Sequence, residues 1–282
     1  MLIIDSHTHM FHPEAREKPG VVSAAEAAFR VIYGQGELGM PGPEEMLGEM
    51  DACDIDMAVL CPFPWITMEA CHANNEYLLG LASAHPGRFL PFAVTSPCAG
   101  KPAIDEARRC LEAGARGLGE LHSQPQGFDL LDLEAMSPLV DLALEFDVPI
   151  MIHTNEPVGH SYPGKGPVGP SLIYRFILAF PEVQLILPHW GGGMPFYELM
   201  PEVASDCARV YYDSAASPFL YRSEIYGLAA RLVGAERILF GTDYPLIPYG
   251  RTLADAREGI ADEKDAAQIL GGNAQRLLKI TL

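Results

Sequence analysis

The chain has 282 residues, 49% of them hydrophobic, and its 19 Lys and Arg stand against 37 Asp and Glu for a net charge of −18. Such hydrophobic content excludes disorder, and the negative balance repels phosphate backbones and anionic lipid, so neither nucleic acid nor a membrane surface is an expected partner. No apolar run approaches the roughly 20 residues that cross a bilayer, and the first residues carry neither a basic region nor a small-residue cleavage site, so a cytoplasmic location is expected.

The chain opens with the apolar run Leu2, Ile3, Ile4, followed by Asp5-Ser6-His7-Thr8-His9. A strand's period of two puts His7 and His9 on one face. Such a pair is either a solvated strand end or two ligands for a divalent metal, since neutral imidazole is the commonest protein ligand for zinc and its neighbours. Residues 10–42 are punctuated by Pro and Gly, with a helix predicted over Val21 to Tyr33. The segment is too short for its own core and too long for an idle connection, so it reads as a lid or a contact between the copies of a homodimer. Pro43 to Cys53 reads as a helix with Pro at its first position and Met46, Leu47 and Met50 as its apolar stripe.

Strand and helix then alternate. Strands are predicted at Met57–Cys61, Phe89–Val94, Ala115–Leu121, Val148–Ile152, Gln184–Leu187, Val210–Asp213 and Ile238–Gly241. Helices are predicted at Glu69–Ala84, Ala103–Ala113, Leu133–Phe146, Leu172–Phe180, Phe196–Ala204 and Leu220–Val233, with a closing helix over Asp262–Lys279 that breaks at Gly271-Gly272. Between them, Glu156 to Pro170 holds four Gly and four Pro in 15 residues, which no regular element tolerates, and reads as a second lid. Six cysteines, with no CxxC pair, read as reduced core residues.

Eight strands with intervening helices, and no composition shift marking a second domain, predict one α/β domain over residues 1–282, a single (β/α)8 barrel with long strand-to-helix loops. An open doubly wound sheet is the alternative, but the Gly-rich phosphate loop expected after its first strand is missing. In a barrel, His7, His9, Glu120, His153, His189 and Asp243 all fall at or just past the carboxyl ends of strands, the face where barrel enzymes place their chemistry. Each has a bland reading alone, as a strand end, a satisfied histidine or a helix cap. The set of six at corresponding positions points to a metal centre.

At these residues the chain resembles the amidohydrolase superfamily, in the amidohydrolase-related branch that includes aminocarboxymuconate semialdehyde decarboxylase. The matching motifs are Asp5-Ser6-His7-Thr8-His9, Ile152-His153, Pro188-His189-Trp190-Gly191-Gly192-Gly193, Gly241-Thr242-Asp243-Tyr244-Pro245 and Gly272-Asn273-Ala274-Gln275-Arg276-Leu277-Leu278, which span almost the whole chain. The resemblance implies that His7, His9, His153 and Asp243 hold one divalent ion, zinc being expected, and that His189 orients or deprotonates the attacking water. Glu120 departs from the one-metal pattern. Its resemblance to the bridging carboxylate of other superfamily branches implies a possible second ion, held with His153 and His189.

A divalent ion lowers the pKa of its bound water to about 7 and polarises a carbonyl, while His189 and Asp243 move protons. Substrate contacts are expected from His122, on the same strand face as Glu120, and from loop residues at the barrel mouth. These are Phe11, His12 and Arg16 in the first loop, Phe63 and Trp65 in the second, then Trp190, and Tyr244, Tyr249 and Arg251 in the last. The leading expectation is a metal-dependent hydrolase of a small lactone, amide or ester. The runner-up is a nonoxidative decarboxylase of an unsaturated or aromatic acid, and the third reading is a degenerate barrel kept for binding.

Overall fold

The computed structural model describes residues 1–34 and 39–281. Eight parallel strands run in sequence order: β1 (Ile4–His9), β2 (Met57–Cys61) and β3 (Phe89–Pro91) in one sheet, and β4 (Leu118–Leu121), β5 (Ile150–Ile152), β6 (Leu185–Leu187), β7 (Val210–Asp213) and β8 (Ile238–Leu239) in the other. Parallel bridges join the sheets at both seams, Ala93 to Leu118 between β3 and β4 and Thr8 to Tyr244 between β1 and the end of β8. At the second seam Ser6 N donates to Phe240 O (2.7 Å) and Asp243 N to His7 O (2.9 Å). The strands thus form a (β/α)8 barrel, and the open sheet is excluded.

Strand alternation sorts the core into two layers. Ile4, Val59, Leu90, Met151, Ile186 and Leu239, one each from six strands, meet in the barrel interior, capped at one end by Ala274, Leu277 and Leu278. Their neighbours Ile3, Ala58, Leu60, Ile150, Leu185 and Ile238 face outward into the larger core under the helices.

Residues 10–34 do not form the single helix predicted over Val21 to Tyr33. They fold as three short helices, Pro13–Glu17, Pro19–Val22 and Ala27–Ile32. The interruption is at Glu26, whose backbone is extended (φ −111°, ψ 92°). Its buried carboxylate accepts from Ile66 N (2.6 Å), Thr67 N (3.1 Å) and Thr67 Oγ1 (2.8 Å), an attachment that outweighs helix continuation. Residues 35–38 of the predicted lid lie outside the described residues. The closing helix passes through Gly271-Gly272 as a widened turn rather than breaking. A further helix, Tyr249–Gly259, which the sequence pattern does not predict, follows β8 after Pro248 and buries Thr252, Leu253 and Ala256. Among the described residues no helix is long and apolar enough to cross a membrane.

Helices Met68–Ala84 and Lys101–Glu112 are fastened together by Glu106. Its carboxylate accepts from Arg109 Nη2 (2.7 Å), Arg109 Nε (3.0 Å) and Asn75 Nδ2 (3.0 Å) and lies 3.0 Å from His72 Nδ1. Burial alone would raise the Glu106 pKa, but the donors from Arg109, Asn75 and His72 pull it from 4.5 down to about 2. A folded pKa below the unfolded one gives stability that is full above about 4.5 and lost as pH falls toward 2. Glu106→Gln is expected to cost about 1–3 kcal/mol at pH 7, read by urea unfolding, and the gap to the parent should narrow through that acid window.

Candidate active site

The carboxyl ends of the strands deliver the chemistry-bearing side chains to one place. β1 supplies His7 and His9, β4 supplies Glu120 with His122 just beyond, His153 follows β5, His189 follows β6, Asp213 ends β7, and Asp243 follows β8. His7, His9, Glu120, His122, His189, Asp213 and Asp243 are all buried.

What makes the imidazoles useful is how their second nitrogens are held. His7 Nδ1 donates to Asp213 Oδ2 (3.0 Å), His9 Nδ1 to the Cys61 carbonyl (3.0 Å) and His189 Nδ1 to the Ala215 carbonyl (3.0 Å). Each ring is thereby fixed with its Nε2 lone pair free, the arrangement that prepares an imidazole to ligate a metal. The Nε2 atoms of His7 and His9 face each other at 3.3 Å, with Asp243 Oδ1 3.3 Å from His9 Nε2 and Glu120 Oε2 3.7 Å from both. At that distance the two nitrogens either share a proton or hold a cation between them.

Glu120 turns its other oxygen to a second group. Oε1 lies 2.7 Å from His153 Nδ1 and 3.9 Å from His189 Nε2, and those two nitrogens are 3.3 Å apart. Two triads of metal-competent atoms result, His7–His9–Asp243 and Glu120–His153–His189, each with its ligand atoms within 4.8 Å of one another. The four residues predicted to share one ion are divided, with His153 on the far side of Glu120. The donor chemistry of the site fits a divalent ion.

Electrostatics agree. Burial would lower the His7 pKa, but the carboxylates of Asp213, Glu120 and Asp243 outweigh it and raise it to about 10. Burial would raise Glu120, yet His153, His7 and His9 hold it well below the usual carboxylate range. The site stabilises positive charge in its centre. Below it, Asp5 accepts from Thr242 N (3.1 Å), Thr242 Oγ1 (2.5 Å) and His7 N (3.0 Å), tying β1 to the end of β8, and its burial pushes the carboxyl up to about 7.

Backbone geometry places the last two ligand candidates. Asp243 (φ 69°) and the run from His189 to Gly193 (φ 58–91°) occupy the left-handed region, which non-glycine residues keep only where neighbours over-determine it. Gly192 has no alternative: a Cβ there would lie 2.3 Å from the Asn155 carbonyl oxygen. This turn also settles Trp190. Its indole points inward, fully buried, with Nε1 donating to Ser217 Oγ (3.0 Å) and its ring edge-on to Tyr226.

Above the metal-competent floor is a cleft of about 850 Å³. Tyr33, Phe63, Phe219 and Leu246 line its walls, and His160, Tyr162 and Lys165 of the Glu156–Pro170 segment line its mouth. His122 lines it too, stacked on His153 at 4.0 Å with its Nε2 buried and unpartnered. Burial holds the His122 pKa far down, at about 2, so the ring is neutral.

Several residues expected at the rim point elsewhere. Trp190, Arg16 and Tyr244 do not line the cleft. Arg16 lies against Gly42 and bonds Tyr77, and Tyr244 stacks on Tyr249 at 4.5 Å with its hydroxyl on Glu49. Phe11, Trp65 and Phe29 pack together behind Phe63 rather than facing the cleft. Arg251 lies over the outer side of Phe219. The sequence reading missed Asp213, Tyr33 and Lys165; an acidic residue closing a predicted strand was the available signal for Asp213.

A family profile described as Amidohydrolase matches residues 4–280, and the chain belongs to that family. A curated relative, 2-amino-3-carboxymuconate-6-semialdehyde decarboxylase from Dictyostelium discoideum, is 23% identical over 278 residues, covering 84% of this chain and 76% of its own. The crystal structure of 5-carboxyvanillate decarboxylase from Sphingomonas paucimobilis superposes with a TM-score of 0.79 at 18% identity, over 99% of both chains. A dihydroxybenzoic acid decarboxylase from Polaromonas, solved with manganese and 2-nitroresorcinol, gives a TM-score of 0.74 at 18% identity over 99% of this chain and 97% of its own.

These likenesses correct the leading sequence expectation. The relatives are decarboxylases of unsaturated or aromatic acids, so the hydrolase of a lactone, amide or ester gives way to the runner-up. The sequence could not separate the two because hydrolysis and decarboxylation draw on the same ligands. Zinc, expected from the number of histidines, gains no support from a neighbour that holds manganese.

His9→Ala is expected to abolish retention of the divalent ion through gel filtration, read by elemental analysis. His122→Asn should retain it, because His122 belongs to neither triad.

Proposed function

We propose that this chain is a metal-dependent, non-oxidative decarboxylase of an aromatic or unsaturated acid. The observation that carries the proposal is the cleft itself: an imidazole and carboxylate floor under walls of Tyr33, Phe63, Phe219 and Leu246, in a chain whose named relatives remove carbon dioxide from such acids. The walls offer faces and edges to a flat substrate and keep water from the reacting carbon.

The change is an acid anion plus a proton giving carbon dioxide and the substrate with hydrogen in place of its carboxylate. The carbon–carbon bond to the carboxylate breaks, its electron pair stays on the ring or alkene carbon, and a proton takes the vacated position. A divalent ion at His7, His9 and Asp243 would supply Lewis-acid polarisation of the acid's oxygens. One ion is favoured there because oxygen acceptors engage Nδ1 of both His7 and His9 and leave both Nε2 atoms to face it, whereas His153 directs its Nδ1 at Glu120. Two imidazoles with carboxylate oxygens suit manganese as well as zinc.

His189 is the residue proposed to move the proton. With Nδ1 engaged by Ala215, its exchangeable position is Nε2, which lies beside His153 Nδ1 (3.3 Å) in a residue that lines the cleft. Glu120 keeps His153 and His189 grouped, and Asp213 keeps His7 oriented.

The test is a panel of hydroxybenzoates and unsaturated acids assayed for carbon dioxide with the metal-loaded protein; acids consumed without carbon dioxide would overturn the proposal. His189→Asn is expected to lower kcat by about 100-fold or more while keeping the ion. Loss of the ion in that variant, with two equivalents in the parent, would instead make His189 a ligand of a second ion.

A further inference from the structure

The floor of the cleft presents the carboxylates of Glu120 and Asp243 in a chain of net charge −18. An acid entering such a site meets repulsion, and the ion at the floor engages only the end of the molecule that reacts. Neither Arg16 nor Arg251, the arginines expected to hold an acid, lines the cleft. Among the described residues a single Lys or Arg does, and it is Lys165.

Lys165 sits on the arm between Asn155 and Val168, and the arm is firmly seated. Asn155 N donates to Val168 O (2.8 Å), Gly166 N donates to Asn155 Oδ1 (2.6 Å), and Asn155 Nδ2 donates to the Tyr162 hydroxyl (3.1 Å). At Gly166 the arm lies directly on the floor, since a Cβ there would be 2.7 Å from His122 Nε2. That same Nε2 is buried and unpartnered, a polar atom left waiting beneath the arm.

The ammonium itself is held by weak partners. Nζ donates to the carbonyls of Val158 (2.7 Å) and His160 (3.1 Å) and lies 5.4 Å from the Tyr162 ring centroid. Among the described residues these are all neutral acceptors. Elsewhere Lys101, Arg108, Arg109, Arg237 and Lys279 each meet a carboxylate. The arm's own carboxylate, Glu156, accepts from the Tyr162 hydroxyl (3.2 Å). Exchanging two carbonyls for an anion strengthens the contacts of an ammonium, because a full opposite charge attracts it more strongly than a carbonyl dipole does.

We propose that Lys165 forms an anion-binding subsite at the mouth of the cleft, opposite the metal-competent floor, so that the preferred substrate carries a second anionic group at the end remote from the carboxylate that is lost. The inference rests on the decarboxylase reading for which carboxylate reacts. The subsite itself is a binding property that stands or falls separately.

The experiment is calorimetric titration of the metal-loaded protein with benzoate, benzene-1,3-dicarboxylate and benzene-1,4-dicarboxylate, in the parent and in Lys165→Met and Lys165→Arg. The parent is expected to bind at least one dicarboxylate tenfold or more tightly than benzoate. Lys165→Met should erase that preference while changing benzoate affinity less than about twofold, Lys165→Arg should keep most of it, and 0.5 M salt should reduce it. Thermal melts confirm that the variants fold. No dicarboxylate preference in the parent, or a preference that survives Lys165→Met, overturns the subsite. Selective binding without carbon dioxide release from any acid would leave Lys165 in place and remove the decarboxylase reading instead.

Discussion

A carboxylate held out of water between two pairs of imidazoles is the constraint on which the open end of this barrel depends. Glu120 is 3% exposed, and an isolated buried carboxylate costs many kcal/mol, so it survives only among groups that supply positive charge or hydrogen bonds. Here those groups come from β1, β5 and β6, and each must arrive at its strand end in a fixed orientation. Asp213, the Cys61 carbonyl and the Ala215 carbonyl provide that orientation by engaging the outward nitrogens of His7, His9 and His189. Neighbouring strands therefore position one another's side chains, and register around the barrel becomes a condition for chemistry as well as for packing.

The wall over this floor is built differently. Phe11, Phe29, Tyr33, Phe63 and Trp65 form a continuous group of rings, with Phe11 to Tyr33 at 4.7 Å and Phe29 to Trp65 at 5.3 Å. Residues 10–34 have no core of their own, and they gain order by adding rings to those presented by the loop after β2. Glu26 supplements this with three hydrogen bonds to Ile66 and Thr67. One side of the cleft is thus apolar and pinned, while the opposite side carries His160, Tyr162 and Lys165.

The strands and the six metal-competent residues were legible in the sequence because both obey a period: apolar runs mark strands, and chemistry falls at their carboxyl ends. What lacked a period was not legible. Trp190 appeared in a glycine-rich turn that looked like rim, but five successive left-handed residues turn its indole into the core, and no pattern of apolar spacing encodes that sense of rotation. Lys165 lay in a segment dense with Gly and Pro, where direction is set by bonds within the loop, to Asn155, Val158 and His160, rather than by a repeating pattern. Glu26 broke a plausible helix for the sake of partners 40 residues away, at Ile66 and 41 at Thr67. The reaction was also out of reach, because the ligands that polarise a carbonyl for water are the ones that polarise a carboxylate for loss.

The contact between Gly192 and the Asn155 carbonyl has a consequence for how such an enzyme diversifies. Asn155 is at once the base of the arm that lines the cleft and the wall against which the turn after β6 closes, so neither loop can change its footing without the other. Variation is therefore channelled toward the rest of the arm's distal stretch, from Val158 to Lys165, apart from Tyr162, whose hydroxyl accepts from Asn155 Nδ2 and belongs to that footing. A lineage exploring new substrates would rewrite this short stretch while the histidines beneath it stay as they are.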